Sequence, residues 1–320
     1  MQPHLFYIGK LIENRITRPI KHSIIRSIAA NSGLRALLNQ YYSLLSDEAK
    51  SRFHARYSRI FREPGVQLTA GEWCIQFLGR NIQLPLRPLW SWLDWDSALS
   101  IIGHDIEVKL TYAALIASDQ RPTLFLDIGA NYGTHSVLFL SAGIPVIAFE
   151  PNPSCHSYFQ TICELNGLSG RWEQVAIGDG TGHIELVYPE KETWLGSVRM
   201  DVVPSLKNTG KVMTQRVPLH NLDYYLNDVP CDKVLIKVDV EGFEREVIRG
   251  ASQLLQNCKP KIIFESNDVA TRNDLFRLLQ GAGYCVHPLP YRPSEISQFL
   301  RVDEFLSSTA TNFIAVSRPA

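Results

Sequence analysis

The sequence predicts an α/β fold: an open, mostly parallel sheet wound by helices, carried behind an N-terminal helical extension. Three observations point there. From Glu107 onward, apolar runs of strand length alternate with helical patterns, the signature of βαβ units. Within that region the run 124–128 carries Asp127 at its end, meets Gly129 and Gly133 four residues apart, and opens an amphipathic helix. That order is a strand, a tight turn and a helix N-terminus, the first unit of a nucleotide-binding sheet. Residues 1–62 differ, with helical spacing and eleven Lys or Arg against three Asp or Glu, a net charge of about +8.

In that extension, Leu5, Ile8, Leu11, Ile12 and Ile16 recur at helical spacing, as do Ile24, Ile25 and Ile28 after Pro19. Asn31-Ser32-Gly33 reads as the end of one helix, and 34–45 as the next. The basic excess admits two readings. One is an amphipathic arm in peripheral contact with an anionic membrane or an acidic partner; the other is an extension packed on the main domain with a solvated basic face. Residues 63–106 read as a connector with short strands at 73–77 and 82–86. Trp90, Trp92 and Trp95 then flank Asp94 and Asp96, either a carbohydrate-stacking platform or core lining.

The main domain is read as 107–320. A helix over 107–118 precedes the strand at 124–128, whose own helix is expected at 132–142. A second strand, 145–149, ends on Glu150, and Asn152 or Ser154 can cap the helix that stops at Asn166-Gly167. The third strand is expected at 172–177. Strands at 183–188 and 212–219 flank an irregular stretch, 189–211, long enough to be a flap over an acceptor, with Trp194 inside it. The fourth strand, 233–239, leads to a helix ending at Gly250, and the fifth, 261–264, ends on Glu265. A helix at 271–281 and strands at 284–287 and 312–317 complete the sheet.

Composition bounds the function. Apolar content of 45% and charged content of 20% in 320 residues suit a globular protein, and a formal net charge of zero gives no sign of a nucleic-acid partner. The six cysteines are scattered without a C-x-x-C pair, which predicts neither a zinc framework nor a disulfide scaffold and suggests a reducing compartment. With no apolar stretch of about eighteen residues and no signal-peptide pattern, a cytoplasmic location is expected.

Gly129 and Gly133 let the backbone bend sharply and approach a ligand. Asn131 stands where the dinucleotide fingerprint has its middle glycine, which weakens a pyrophosphate reading. Glu150 can accept hydrogen bonds from both hydroxyls of a ribose. Ribose without a pyrophosphate cradle points to S-adenosylmethionine over NAD.

The segments 125–133 (FLDIGANYG), 148–153 (AFEPNP), 235–244 (LIKVDVEGFE) and 262–265 (IIFE) together resemble the FkbM family of S-adenosylmethionine-dependent methyltransferases. Order and spacing agree across roughly 100–316. The resemblance implies a class I methyltransferase Rossmann-like sheet, mostly parallel with a reversed last strand. It further implies methyl transfer to oxygen, commonly a hydroxyl of a sugar, glycan or polyketide-like metabolite.

In that frame the candidate cofactor residues are Asp127, Gly129, Asn131, Gly133, Glu150, Asn152, Asp179 and Glu107. Asp127 can take the donor's amino-acid end or merely brace the turn. Asn152 can serve as a helix cap alone, and Asp179 as the adenine acceptor or as a Gly-Asp-Gly turn residue. Glu107 matches a glutamate the family often keeps before the first strand.

The candidate catalytic residues are Lys237, Asp239, Glu241 and Glu265. The first three alternate at the carboxyl end of the fourth strand, where open α/β sheets bind ligands. Asp239 or Glu241 can act as base toward a hydroxyl while Lys237 offsets charge, or two acids can hold Mg²⁺. Glu265 can act as base or substrate clamp; His135 reads as structural, and His220 can reach a substrate. Two other functions stay open: an N-methyltransferase on protein or nucleic acid, whose Asn/Asp-Pro-Pro-Tyr signature is absent after the fourth strand, and an inactive methyltransferase-like binding module.

Overall fold

The computed structural model describes residues 23–24, 27, 31–46, 48–54, 71–86, 102–189, 196–198, 211–267, 269–295 and 298–318. The chain divides into two compact units, Met1–Gln76 with Asn81–His104, and Phe77–Arg80 with Asp105–Ala320. Trp90, Trp92, Trp95, Trp194, most of the expected flap and the first 22 residues lie outside the described residues.

The first unit contains α1 (Ser32–Ser43) and most of the hairpin β1 (Gly71–Phe77) and β2 (Arg80–Leu86). Asn31 opens α1 by accepting a hydrogen bond from the Leu34 amide, so this Asn-Ser-Gly run starts a helix. The two-residue hairpin turn uses left-handed backbone at Leu78 and Gly79, which matches the twist of the paired strands. Tyr42 is fully buried against Phe53 and Trp73.

The second unit runs α2 (Ile106–Ile116), β3 (Leu124–Ile128), α3 (Ser136–Ser141), β4 (Val146–Phe149), α4 (Pro153–Asn166), β5 (Arg171–Glu173), β6 (Ala176–Gly178) and β7 (Gly182–Pro189). There follow β8 (Val212–Asn221), a 3₁₀ turn (Leu222–Asp228), β9 (Val234–Val238), α5 (Glu244–Arg249), α6 (Ser252–Cys258) and β10 (Lys261–Glu265). Last come α7 (Val269–Gly281), β11 (Tyr284–Pro288), α8 (Val302–Ser307) and β12 (Asn312–Ser317).

Seven strands form the main sheet in the order β5-β4-β3-β9-β10-β12-β11. β12 alone runs against its neighbours in that sheet, the reversed last strand the sequence led us to expect. The central strands β3 and β9 are buried along their whole length, which is why they read as continuous apolar runs. Lys237 is the exception in β9, and a charge there calls for a function or a partner. The core on one face gathers Leu126, Ile128, Phe149, Ile236, Val238, Phe264 and Phe313.

Several expectations are corrected. The helix expected at 132–142 starts only at Ser136, because left-handed backbone at Asn131 and Gly133 spends the preceding turn on the loop. The strand expected at 172–177 is two strands, β5 in the main sheet and β6 in a separate sheet of order β6-β8-β7. α6 and α8 appear without having been anticipated. Cys231 and Cys258 form a disulfide across 27 residues, where the scattered cysteines led us to expect no disulfide scaffold and a reducing compartment.

Candidate active site

The site is built where the carboxyl ends of β3, β4, β9 and β10 converge. In the parallel register Asp127 faces Lys237, Ile128 faces Val238, and Lys237 faces Ile263. The loops after β3 and β9 are tied together, since the Asp239 amide donates to the Ile128 carbonyl at 3.0 Å. Gly129 lies against the Asp239 carbonyl so closely that any β-carbon would overlap it, and its φ of +79° is left-handed. Glycine is needed here to bring the two loops into contact.

Asp127 is buried, and its Oδ2 accepts from the Ser136 hydroxyl at 2.6 Å. Its Oδ1 is buried with no hydrogen-bond partner among the described residues. Burial raises the Asp127 pKa, opposed by the Lys237 charge and the Ser136 bond. Glu150 is also buried; Oε2 accepts from the Asn131 amide at 2.9 Å and Oε1 from the Asn152 amide at 2.7 Å. Burial pushes its pKa up to about 7 against those two amides. A carboxylate has about four acceptor positions, so each oxygen keeps room for a further donor.

The remaining cofactor candidates separate. Asn131 has left-handed backbone and its side chain accepts from the Cys155 thiol at 3.2 Å, so it shapes the loop through its backbone. Gly133 is required by the ring of Phe159, which a β-carbon would strike. Asn152 caps α4 by accepting from the Ser154 amide, while its Nδ2 is buried without a partner among the described residues. Asp179 is exposed on the turn between β6 and β7, outside the main sheet. Glu107 accepts from Asn312 at 3.4 Å, and Asn312 is the register partner of Glu265. The structure therefore sets Glu107 toward the β10 end.

The catalytic candidates do gather. Lys237 Nζ donates to Asp239 Oδ2 at 2.6 Å, and carboxylate oxygens of Asp239, Glu241 and Glu265 lie within 4.8 Å of one another. Burial opposes the Lys237 charge, but Asp239 and Asp127 outweigh it and its pKa is raised. Burial, then the Asp239 charge, push Glu241 up to about 7. Burial, the Asp239 charge and a hydrogen bond to Asp239 push Glu265 up to about 9. At neutral pH this cluster therefore keeps a proton on Glu265, beside the Asp239 carboxylate that Lys237 pairs.

Three residues that sequence reading passed over complete the surroundings. Glu244 is buried and its Oε1 accepts from the Val240 and Gly242 amides, bracing the loop that carries Glu241, whose φ is +50°. Lys109 is buried in α2; burial pushes its pKa down to about 8 against the carboxylates of Asp105, Glu107 and Asp239. Tyr112, also buried, shares a 3.0 Å hydrogen bond with His135 Nδ1. A signal was present for Lys109: it stands three residues before Tyr112 and seven before Ile116, on the buried stripe of an apolar helix. Ser197, within the 189–211 stretch, donates to the Glu241 carbonyl at 3.3 Å, whereas His220 is bound to the Tyr225 hydroxyl at 2.9 Å.

A seven-stranded sheet with this order and one reversed strand, with a glycine loop and an acid at the ends of its two central strands, defines a class I methyltransferase fold. The Methyltransferase FkbM domain family matches residues 127–311, and the chain belongs to that family. Among curated proteins, Methyltransferase 1 of Beauveria bassiana (strain ARSEF 2860) is 26% identical over 201 residues, covering 56% of this chain and 80% of that protein. Methyltransferase sdnD of Sordaria araneosa is 28% identical over 172 residues, covering 43% of this chain and 64% of that protein. The crystal structure of Methyltransferase FkbM from Methylobacillus flagellatus KT aligns at TM-score 0.38 and 14% identity. That alignment covers 72% of this chain and 56% of the other. α2, with Glu107, Lys109 and Tyr112, lies ahead of the family match.

Proposed function

We propose that this protein is an S-adenosylmethionine-dependent O-methyltransferase acting on a hydroxyl of a sugar, glycan or polyketide-like metabolite. The observation that carries the reading is the contact between Gly129 and Asp239, which joins the donor-side loop to the carboxylate cluster. The residues present fit the donor. Asp127 Oδ1 is a buried acceptor without a partner among the described residues, suited to an ammonium, and Glu150 retains acceptor positions suited to ribose hydroxyls. When bound, the donor supplies a methyl group on a sulfonium.

Asp239 takes the proton of the acceptor hydroxyl as the oxygen attacks, a general-base role. Lys237 holds that carboxylate ionised and oriented from 2.6 Å, and Glu265 shares the proton-bearing cluster. A neutral hydroxyl needs such a base more than an amine lone pair does, which favours oxygen. The acceptor class itself rests on the FkbM resemblance.

The Mg²⁺ reading finds three carboxylates close together but little else. The Lys237 cation already sits on Asp239, so one of the three carboxylates is charge-compensated without a divalent ion. The test is incubation with methyl-labelled donor and a panel of glycans and hydroxylated metabolites, with and without EDTA. EDTA-resistant labelling of a hydroxyl that Asp239→Asn abolishes supports the reading. Labelling only of amines, or labelling unaffected by Asp239→Asn, contradicts it.

A further inference from the structure

One face of α1 is apolar and exposed. Leu34, Leu37, Tyr41 and Leu44 are 44%, 62%, 57% and 85% exposed. At 3.6 residues per turn these positions fall in a stripe about 80° wide, with Leu44 just past the last turn. The helix is not free to turn this stripe inward. On another face, the Asn39 amide nitrogen donates to the Cys74 carbonyl at 2.7 Å, and the Cys74 amide donates back to Asn39 Oδ1 at 3.0 Å. Tyr42 is fully buried against Trp73, and Lys50 lies over its ring. The hairpin thus clamps α1 with its leucines pointing out.

Charge identifies the surface that the stripe fits. The whole chain has net charge zero, yet residues 1–62 hold eleven basic and three acidic side chains. The excess surrounds the stripe in sequence, with Lys10, Arg15, Arg18, Lys21 and Arg26 before it and Arg52, Arg56, Arg59 and Arg62 after it; Asp47 and Glu48 intervene beyond Leu44, and Lys50 is buried. A net positive excess on both sides of an apolar strip is the pattern of a helix lying in a bilayer interface. A tyrosine on the strip suits headgroup depth. No helix among the described residues is long and apolar enough to cross a membrane, so the contact is peripheral.

We propose that α1 docks the protein on the surface of an anionic lipid bilayer, with Leu34, Leu37, Tyr41 and Leu44 entering the boundary between headgroups and acyl chains. The contact is separate from the methyl-transfer site and does not depend on that reading.

The test is flotation of the full chain with phosphatidylcholine vesicles, with and without phosphatidylglycerol. Binding is expected on the anionic vesicles and to weaken roughly tenfold or more on phosphatidylcholine alone or in high salt. Leu37→Glu with Leu44→Glu, both on the exposed face, should weaken it by a similar factor while leaving the melting temperature unchanged. Tyr41→Trp should give a blue-shifted emission, relative to the parent, when anionic vesicles are added. The proposal is overturned if the full chain stays unbound, if the double variant floats like the parent, or if the emission of the Tyr41→Trp variant does not move. It is also overturned if the parent is a dimer that the double variant dissociates, which would assign the stripe to a second copy.

Discussion

Gly129 and Asp239 meet backbone to backbone, with no room between them for a single methyl group. The loop after β3 and the loop after β9 are therefore one structural unit. Gly129→Ala must both adopt an unfavourable φ of +79° and push the Asp239 carbonyl aside. We expect a loss of about 3 kcal/mol or more in folding stability. Thermal unfolding checks the stability, and calorimetry should find donor binding weakened in the same variant.

Removing Lys237 should be more damaging than removing a surface lysine. Lys237→Met removes the cation bonded to Asp239 and the positive charge that opposes the raised pKa of buried Asp127. Breaking one side of a buried pair costs about 3–5 kcal/mol. The partial exposure of Asp239 places the expectation at the lower end. Urea unfolding measures it.

Asp239→Asn should separate chemistry from binding. The amide keeps the shape but accepts no proton, so turnover should fall by about 10²–10⁴-fold once an acceptor is in hand. Affinity for S-adenosylhomocysteine should change far less. A parallel loss of both would move Asp239 from base to donor-site residue.

The pH dependence of stability follows from three raised carboxyl groups. Glu150 and Glu241 are held at about 7 and Glu265 at about 9, each chiefly by burial, against an ordinary 4.5. A raised folded-state pKa contributes stability that is full below the unfolded value and lost as pH rises through the folded one. Lys109, pushed down to about 8, contributes stability above its ordinary 10.5 that is lost as pH falls toward 8. It adds no slope at lower pH. The melting temperature of the ligand-free protein should therefore fall between pH 5 and 8, and Glu265→Gln should make that fall shallower; from pH 8 to 9 the Lys109 and Glu265 slopes oppose each other. Scanning calorimetry across that range is the check.

Much of the sheet was legible in the sequence because its central strands are buried on both faces. The run 124–128 was read with its observed limits, and Asn152 and Gly167 mark α4 by side-chain cap and left-handed backbone. The strand at 172–177 was misread because Trp172, Val175, Ala176 and Ile177 all suit a strand, and no local signal tells that the chain changes sheet after Glu173. The short helices α6 and α8 have too few turns for their period to stand out. In the site, strand alternation places Lys237, Asp239 and Glu241 on one face, but β9 ends at Val238 and Glu241 has left-handed backbone, so the loop after β9 brings Asp239 and Glu241 to Lys237. Lys109 and Glu244 escaped because their importance comes from burial beside distant carboxylates and amides, which spacing along the chain does not encode.

Glu150 should make donor binding pH-dependent. Ribose hydroxyls donate to the ionised carboxylate, so affinity should rise as pH passes through about 7, with a proton released on binding. Glu150→Gln should remove that dependence and weaken binding roughly 10- to 100-fold. Titrations in two buffers of different ionisation enthalpy read the proton directly.

The central claim is that the loop 127–133 with Glu150 is a binding site for S-adenosylmethionine. Calorimetric titration of the purified protein with S-adenosylmethionine, S-adenosylhomocysteine and NAD tests it most directly. The account requires saturable binding of the first two, lost in Glu150→Ala, and none of NAD. Binding of NAD in preference, or of the adenosyl compounds with equal affinity by Glu150→Ala, would contradict it.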